Sequence, residues 1–245
     1  MKPKVAFFDF TGCEGCQFEV LNFGPEFLDL VKHVDIVNFR EASSERNDDY
    51  DIAFIEGSIT RPSEIPRLQK IRSQAKALVA LGACACIGGI NSLKNHMPMT
   101  DVLKTVYGPD SKYYDTIPAS PINAFVPVEY FVRGCPIDRN EYLKVVKSIL
   151  LGKRPEIPNY PVCVECKQAE NVCVYEKGKH CLGPVTRGGC KAICVSNGRF
   201  CWGCRGLIDE PNIYSEIELL LKQGLTLAQA LDRFRIFNAS AEVLR

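Results

Sequence analysis

The residues of this sequence best suited to chemistry are its thirteen cysteines, which stand in groups along a chain of 245 residues. Five of them lie in three short stretches before residue 136, and eight stand between Cys163 and Cys204. Thiolates bind zinc and iron–sulfur clusters, form disulfides and act as redox pairs. Because an odd count would leave one thiol over in a pure disulfide framework, the pattern favours metal or redox chemistry in a reducing compartment.

Each of the three early stretches follows a predicted strand. The stretches are Cys13-Glu14-Gly15-Cys16, Cys84-Ala85-Cys86 and Cys135-Pro136. In doubly wound folds the carboxyl ends of the strands meet at one edge of the sheet, where ligands bind. We therefore expect these thiols to converge, and four converging thiolates can hold a 4Fe–4S cluster. Two alternatives stay open. Cys84 and Cys86 could be small buried apolar side chains that bind no cluster, and Cys13 and Cys16 could form a redox pair.

The eight later cysteines fall into two sets of four. The sets are Cys163, Cys166, Cys173 and Cys181, and then Cys190, Cys194, Cys201 and Cys204. Each set suits either a structural zinc ion or an iron–sulfur cluster, and neither has the spacing of bacterial ferredoxins. The third group of thiols, in the first part of the chain, favours iron over zinc, since three clusters in one chain could carry electrons.

The elements that must position the early cysteines alternate between strands and helices. Apolar runs predict strands at Lys4–Phe10, Val34–Phe39, Asp51–Ile55, Ala77–Leu81 and Tyr130–Val132. Helical patterns lie between and after them, at Gln17–Lys32, Pro62–Lys76, Thr100–Tyr107 and Asp138–Leu151. This alternation is typical of an α/β fold, so we predict a flavodoxin-like, doubly wound parallel sheet over residues 1–152.

A second domain is predicted over residues 153–245. It opens in a segment, 152–161, that holds three prolines and is typical of a linker. The cysteine-rich part that follows has little apolar periodicity, so bound metal is expected to supply much of its folding free energy. Two amphipathic helices, Tyr214–Lys222 and Thr226–Phe237, complete this small irregular iron–sulfur domain.

Charge and hydropathy exclude several other functions. The 30 basic and 29 acidic side chains give a net charge of +1, which offers no attraction for nucleic acid or an anionic membrane. The longest uncharged run, Ala77–Leu93, contains three glycines and is too short to span a bilayer. Because the sequence opens on a strand and not on an export signal, we expect a cytoplasmic protein without membrane or nucleic-acid partners.

The cysteine motifs resemble those of nickel–iron hydrogenase small subunits along essentially the whole chain. The resemblance is carried by Cys13-Glu14-Gly15-Cys16, Gly82-Ala83-Cys84-Ala85, Gly134-Cys135-Pro136, and Cys173 to Cys190 with Cys181-Leu182-Gly183-Pro184 within it. It implies a proximal 4Fe–4S cluster, beside the nickel–iron site of a large catalytic subunit, on Cys13, Cys16, Cys84 and Cys135. Cys86 is left without an assigned role, although Cys84 and Cys86 could exchange roles.

The same resemblance gives each later set one cluster. The distal 4Fe–4S cluster would be bound by Cys163, Cys166, Cys173 and Cys181. The medial cluster would be bound by Cys190, Cys194, Cys201 and Cys204. Exported members of the family lack a cysteine at one corner of the medial cluster, which is then 3Fe–4S. Since Cys194 can fill that corner, we predict three 4Fe–4S clusters.

The subgroup follows from the stretch Phe200-Cys201-Trp202-Gly203-Cys204-Arg205-Gly206. It resembles the delta subunit of cytosolic sulfhydrogenases, which are NADP-linked and heterotetrameric. The small subunits of deazaflavin- or heterodisulfide-reductase-linked hydrogenases are a close alternative. No Rossmann or P-loop glycine pattern is present, so any flavin or NADP(H) chemistry is expected in partner subunits.

These expectations describe an electron-transfer subunit that carries no catalytic residue of its own. It would relay electrons between the nickel–iron site and a flavin/NADP(H)-linked or iron–sulfur partner, and sulfur reduction by the complex stays open. Glu14 lies between two predicted ligands, where it could relay protons or be a solvated loop carboxylate. The alternative from another functional class is a zinc-stabilised adaptor protein.

Metal-dependent folding of the second domain gives a first prediction. A chain produced without iron–sulfur assembly should be cut by proteases within residues 160–205, while the sheet of the first domain resists, because only the cysteine-rich segment depends on metal. Limited proteolysis with mass spectrometry locates the cuts. Equal resistance of the two segments in the metal-free chain would contradict this expectation.

Overall fold

The computed structural model describes residues 2–241, and its sheet consists of five parallel strands. The strands are β1 (Lys4–Asp9), β2 (Asp35–Phe39), β3 (Ile52–Glu56), β4 (Ala77–Leu81) and β5 (Tyr130–Val132). They lie in the order β2-β1-β3-β4-β5, and each neighbouring pair is parallel. This is the flavodoxin-like order, so the predicted fold class is confirmed. The predicted second domain runs to residue 245, and its last four residues lie outside the described residues.

Helices connect and extend the sheet. They are α1 (Gly15–Leu21), α2 (Pro25–Leu30), α3 (Glu64–Gln74), α4 (Gly82–Ile87), α5 (Met99–Tyr107), α6 (Arg139–Leu150), α7 (Val162–Gln168), α8 (Ile193–Ser196), α9 (Ile213–Lys222) and α10 (Leu227–Asn238). Across residues 2–241, no helix has the length and apolar character needed to cross a membrane. The prediction of a single helix at Gln17–Lys32 is wrong, because Gly24 has a φ of +63° and Pro25 begins a new helix.

Both faces of the sheet are covered by apolar cores. On one face the ring of Phe7 stacks against those of Phe39 and Phe54, with centroids 4.2 and 4.7 Å apart. Tyr142 of α6 packs over Phe54 on the same face, with ring centroids 5.7 Å apart. Alternate strand residues, such as Ala6 and Ile55, point into the core of the opposite face. Burial on both faces explains why the strands are continuously apolar in sequence.

Capping side chains set the starts of three helices. Asp138 accepts a hydrogen bond from the backbone N–H of Glu141 at 2.9 Å and begins α6. Asn212 does the same for α9, and Thr226 forms a capping box with Gln229 at the start of α10. Such caps satisfy N–H groups that have no partner within the helix, which is why these helices begin close to the predicted residues.

The cysteine-rich segment has small apolar clusters of its own. Leu182, Val185 and Phe234 belong to one, which joins the segment to α9 and α10. Val162 and Val195 belong to another, which lies among the cysteines. Helix α10 also packs against α4 and the 3-10 helix that follows it in the sheet domain. The C-terminal helices therefore attach the cysteine-rich segment to the sheet domain.

The stacked aromatic core gives a stability prediction. Replacing Phe54 by Ala should lower the free energy of unfolding by about 3–5 kcal/mol, because it leaves a cavity beside Phe7 and Tyr142. Leu28 on α2, which is 62% exposed, is the control position. Leu28→Ala should change the free energy of unfolding by less than about 0.5 kcal/mol. Denaturant unfolding followed by circular dichroism measures both. Equal losses in the two variants would refute the assignment of Phe54 to the core.

Candidate metal centres

Four thiols meet at the carboxyl edge of the sheet, and we call them the sheet-edge set: Cys13, Cys16, Cys84 and Cys135. Burial and the nearby thiols of Cys135 and Cys13 together raise the pKa of Cys84 to about 12. Burial and the Glu56 carboxyl raise the pKa of Cys16, with smaller contributions from Cys135 and Cys84. Thiols in this state stay protonated at neutral pH unless a cation compensates their charge, which is what bound iron would do.

Glycines bring the backbone close to these sulfurs. Gly82 joins β4 to α4 with a φ of +83°, and a Cβ at this position would clash with Sγ of Cys16. A Cβ on Gly89 would lie 2.9 Å from Sγ of Cys84. The N–H of Ala83 donates to the carbonyl of Gly134 at 2.7 Å, which ties the loops after β4 and β5 together. This close backbone cradle fits an iron–sulfur cluster, whose sulfurs are tuned by neighbouring N–H groups.

Cys86 lies on the same helix as Cys84 but faces the sheet. Its buried Sγ is 3.5 Å from the carbonyl oxygens of Ala80 and Val132, and it belongs to one of the apolar cores. Burial raises the pKa of Cys86 to about 12. The structure therefore places Cys84 with the other three thiols of the set and gives Cys86 contacts with strands β4 and β5.

Glu56, the last residue of β3, has a part in the site that sequence reasoning missed. Its side chain is only 4% exposed. Its carboxylate accepts the N–H of Cys16 at 3.3 Å and that of Gln17 at 2.9 Å, so it holds the start of α1. Burial raises the pKa of Glu56 to about 7. A carboxylate that ends a wholly apolar strand at the ligand-binding edge was the available signal.

Glu14 is half-buried between the two cysteines that begin the sheet-edge set. It adopts a left-handed backbone conformation, with φ of 60°, immediately before α1. Burial raises its pKa, and the adjacent carboxyl of Glu41 raises it further. A carboxyl with a raised pKa can share a proton with a neighbouring carboxyl, but the proton-relay role of Glu14 stays a prediction.

A second group of thiols, the cavity set, surrounds one cavity of about 370 Å³. Its members are Cys190, Cys194, Cys201 and Cys204. Cys135 of the sheet-edge set and the indole of Trp202 line the same cavity. Burial and the thiol of Cys190 together raise the pKa of Cys204 to about 12. A sulfur-lined space with one aromatic wall fits a cluster that is shielded from water.

The third group, which we call the α7 set, begins on helix α7 and consists of Cys163, Cys166, Cys173 and Cys181. Burial and the other three thiols together raise the pKa of Cys163 to about 12. The N–H groups of Gly183 and Cys201 donate to Sγ of Cys181 at 3.4 and 3.3 Å. Such N–H donation stabilises a thiolate ligand and tunes the potential of an iron–sulfur centre.

Two contacts connect the three sets in a row. Cys135 lines the same cavity as Cys204, and its N–H partly opposes the rise in the pKa of that thiol. The N–H of Cys201 donates to Sγ of Cys181 at 3.3 Å. The first contact joins the sheet-edge set to the cavity set, and the second joins the cavity set to the α7 set. The cavity set therefore lies between the other two.

Within residues 2–241, no three His, Cys, Asp or Glu side chains surround one point closely enough to hold a single metal ion. In a 4Fe–4S cluster, by contrast, each cysteine binds a different iron, so the four ligands need not surround one point.

A flavodoxin-like sheet with thiols at its carboxyl edge and a cysteine-rich extension defines an iron–sulfur subunit of a redox enzyme. A family model described as NADH ubiquinone oxidoreductase, 20 Kd subunit, matches residues 13–149. The chain is 34% identical to sulfhydrogenase 2 subunit delta of Pyrococcus furiosus, over 89% of this chain and 92% of that one. It is 30% identical to a subunit of the F420-non-reducing hydrogenase vhu of Methanococcus voltae, over 93% and 87% of the two chains.

Solved structures extend the comparison. A chain of an NAD+-reducing [NiFe]-hydrogenase superposes with a TM-score of 0.59 at 26% identity and covers 64% of this chain and 96% of its own. A chain of the Ni-Fe-Se hydrogenase from Desulfomicrobium baculatum, at 16% identity, shares the fold, with a TM-score of 0.54 over 86% and 96% of the two chains. The protein belongs to the family of nickel–iron hydrogenase small subunits, as its motifs predicted. The active site of these oxidoreductases lies in another subunit.

The close approach at Gly82 leads to a paired test. Gly82→Ala should displace Cys16 and lower the iron and labile sulfide bound per chain. Gly198 has a similar φ of +75° with no atom within 4 Å of an added Cβ, so Gly198→Ala is the matched control. Both variants carry about 1–3 kcal/mol of backbone strain, but only the first has the clash.

Anaerobic metal and sulfide analysis compares these two variants with the unmodified protein. Equal iron content in Gly82→Ala and Gly198→Ala would show that the position of Cys16 does not depend on the bare backbone at Gly82.

Proposed function

We propose that this chain is the electron-transfer subunit of a nickel–iron hydrogenase and holds three 4Fe–4S clusters. The proximal cluster is assigned to the sheet-edge set, Cys13, Cys16, Cys84 and Cys135. The medial cluster is assigned to the cavity set, Cys190, Cys194, Cys201 and Cys204. The distal cluster is assigned to the α7 set, Cys163, Cys166, Cys173 and Cys181. Such clusters, when bound, accept and release one electron at a time.

The row of three thiol sets is the observation that carries this proposal. Neighbouring sets are joined, because Cys135 lines one cavity with Cys204 and the N–H of Cys201 donates to Sγ of Cys181. Electron transfer requires redox centres that follow one another closely. A zinc-stabilised adaptor would need its cysteines only for folding, and it would have no use for thiols at the sheet edge in series with the other eight.

The chain's own contribution is to supply, shield and orient the ligands. Burial raises the pKa of Cys84, Cys163 and Cys204 to about 12, so these thiols must lose their protons when iron binds. Loading is therefore favoured by rising pH and opposed by acid. Glu56 fixes the backbone at Cys16, and Trp202 closes one side of the medial cavity.

The partners follow from the family and from relatives. A large subunit would hold the nickel–iron site, where dihydrogen is cleaved heterolytically and reversibly. Flavin- and NADP(H)-binding and iron–sulfur subunits would complete a cytoplasmic heterotetramer. The names sulfhydrogenase 2 subunit delta and NAD+-reducing [NiFe]-hydrogenase among the similar proteins support this assembly. The lack of a nucleotide-binding glycine pattern in this sequence fits the location of these cofactors in partner subunits.

A second candidate is supported by other relatives. Subunits of the F420-non-reducing hydrogenase vhu from Methanococcus voltae and from Methanocaldococcus jannaschii are each 30% identical to the chain. They favour a complex that passes electrons to an iron–sulfur partner of the heterodisulfide-reductase-linked type, and their name argues against a deazaflavin acceptor. Assays of the purified complex with dihydrogen as donor and NADP+ or deazaflavin as acceptor separate these possibilities.

Two cysteines of helix α4 provide a matched test of the ligand assignment. Cys84→Ala should remove the proximal cluster, about four irons of about twelve in this chain, because it deletes one of four ligands. Cys86→Ala should retain the iron of the unmodified subunit, because Sγ of Cys86 faces the carbonyls of Ala80 and Val132. Iron, zinc and sulfide are measured on the anaerobic complex, with iron in partner subunits subtracted.

The type of the medial cluster is tested on the same samples by electron paramagnetic resonance. The oxidised complex should show no 3Fe–4S signal, since Cys194 completes the set. Such a signal would remove Cys194 from the ligands. Equal iron loss from both α4 variants would contradict the proximal assignment, and two zinc ions without labile sulfide would contradict electron transfer altogether.

A further inference from the structure

Arg205, the residue after Cys204, is a buried arginine with three partners. Its side chain is 1% exposed, and its Nε donates to the carbonyl of Gly188 at 2.6 Å. One terminal nitrogen, Nη1, donates to the carbonyl of Arg133 at 2.6 Å. The other, Nη2, forms a hydrogen-bonded ion pair with Glu141. One side chain thus connects the cysteine-rich segment to the end of β5 and to helix α6.

Glu141 holds the other side of this arrangement. Its second carboxylate oxygen accepts the N–H of Arg133 at 3.3 Å, and its own N–H is capped by Asp138. Gly189 leaves the space that the pair occupies, because a Cβ there would overlap both the guanidinium and the carboxylate. The ion pair is therefore enclosed between the sheet domain and the loop that leads to the cavity set.

Arg205 and two of its partners lie close in sequence to proposed cluster ligands. Arg133 lies two residues before Cys135, and Gly188 lies two residues before Cys190. Arg205 itself adjoins Cys204, toward which the N–H of Cys135 is directed. Two of the three acceptors of the guanidinium, and Arg205 itself, thus lie within two residues of proposed ligands of the proximal or the medial cluster.

Stability alone does not account for such a pair. Burying two opposite charges costs desolvation energy, and apolar residues of similar volume often stabilise a fold equally well. Arginine differs from other residues in its rigid, planar fork of donors, which can fix several acceptors in one geometry. A buried arginine with three acceptors, one from each of three segments, is suited to setting the distance between those segments.

We infer that Arg205, held by Glu141, is a positioning residue that fixes the spacing of the proximal and medial sites and so their electronic coupling. The inference rests on the proposed function, since it concerns clusters at those sites. The pair exchanges no atom or electron with the clusters. Its role is to hold the backbone of Cys135 against Cys204.

The test compares Arg205→Met and Arg205→Lys with Arg187→Met in the complete, anaerobically purified complex. Arg187 is the matched control, because it is also a buried arginine of the cysteine-rich segment. Its partners, however, are Pro158, Asn159 and Asp209, which lie outside the sheet. Iron and sulfide analysis reports loading, and electron paramagnetic resonance of the reduced complex reports the magnetic interaction between neighbouring clusters.

We expect Arg205→Met to bind iron as the unmodified complex does but to lose the splitting that arises from the proximal–medial interaction. Arg205→Lys should keep part of the splitting, because an ammonium group reaches Glu141 but cannot bridge all three acceptors. Arg187→Met should keep the full splitting. If Arg205→Met loses iron, the inference is tested on Arg205→Lys. A reduced splitting in Arg205→Lys with the full amount of bound iron supports the inference.

Full splitting in either loaded Arg205 variant would overturn the inference. So would a loss of splitting or iron in Arg187→Met equal to that in both Arg205 variants, because Arg205 would then be one stabilising residue among others. An unmodified complex without iron in this chain would overturn the proposed function itself, so the two failures are distinguishable.

Discussion

Twelve thiols gathered in three sets impose a charge problem that the rest of the structure is built around. Burial raises the pKa of Cys84, Cys163 and Cys204 to about 12, so the sets can become thiolates only when cations enter with them. The backbone of Gly82 approaches a sulfur closely, and N–H groups such as that of Gly183 donate hydrogen bonds to sulfurs. Metal binding and folding of the cysteine-rich segment are consequently one process in this account.

The parallel sheet brings cysteines that are distant in sequence to one place. Cysteines that follow β1, β4 and β5 meet because the carboxyl ends of these strands share an edge. The matching family model spans residues 13–149, whereas the sulfhydrogenase relative covers 89% of the chain. The sheet with its edge site is thus the part of the chain that the family model matches. The cysteine-rich extension adds two further sets in series with it.

Much of this arrangement could be predicted from sequence, and the failures have identifiable physical causes. The strands are continuous apolar runs buried on both faces, so their positions were clear, whereas Gly24 and Pro25 were overlooked as the break between α1 and α2. Helix α7 was missed because metal-binding segments lack apolar periodicity. The contacts of Glu56 with Cys16 and of Arg205 with Glu141 join residues 40 and 64 positions apart, and spacing alone gives no sign of them.

The assignment of three iron–sulfur clusters is tested most directly by anomalous diffraction at the iron and zinc absorption edges from crystals of the anaerobically purified complex. We expect three separate iron sites in this chain, one within each thiol set, with the site of the cavity set between the other two. Anomalous scattering from zinc at the later sets, or iron confined to the sheet-edge set, would contradict it.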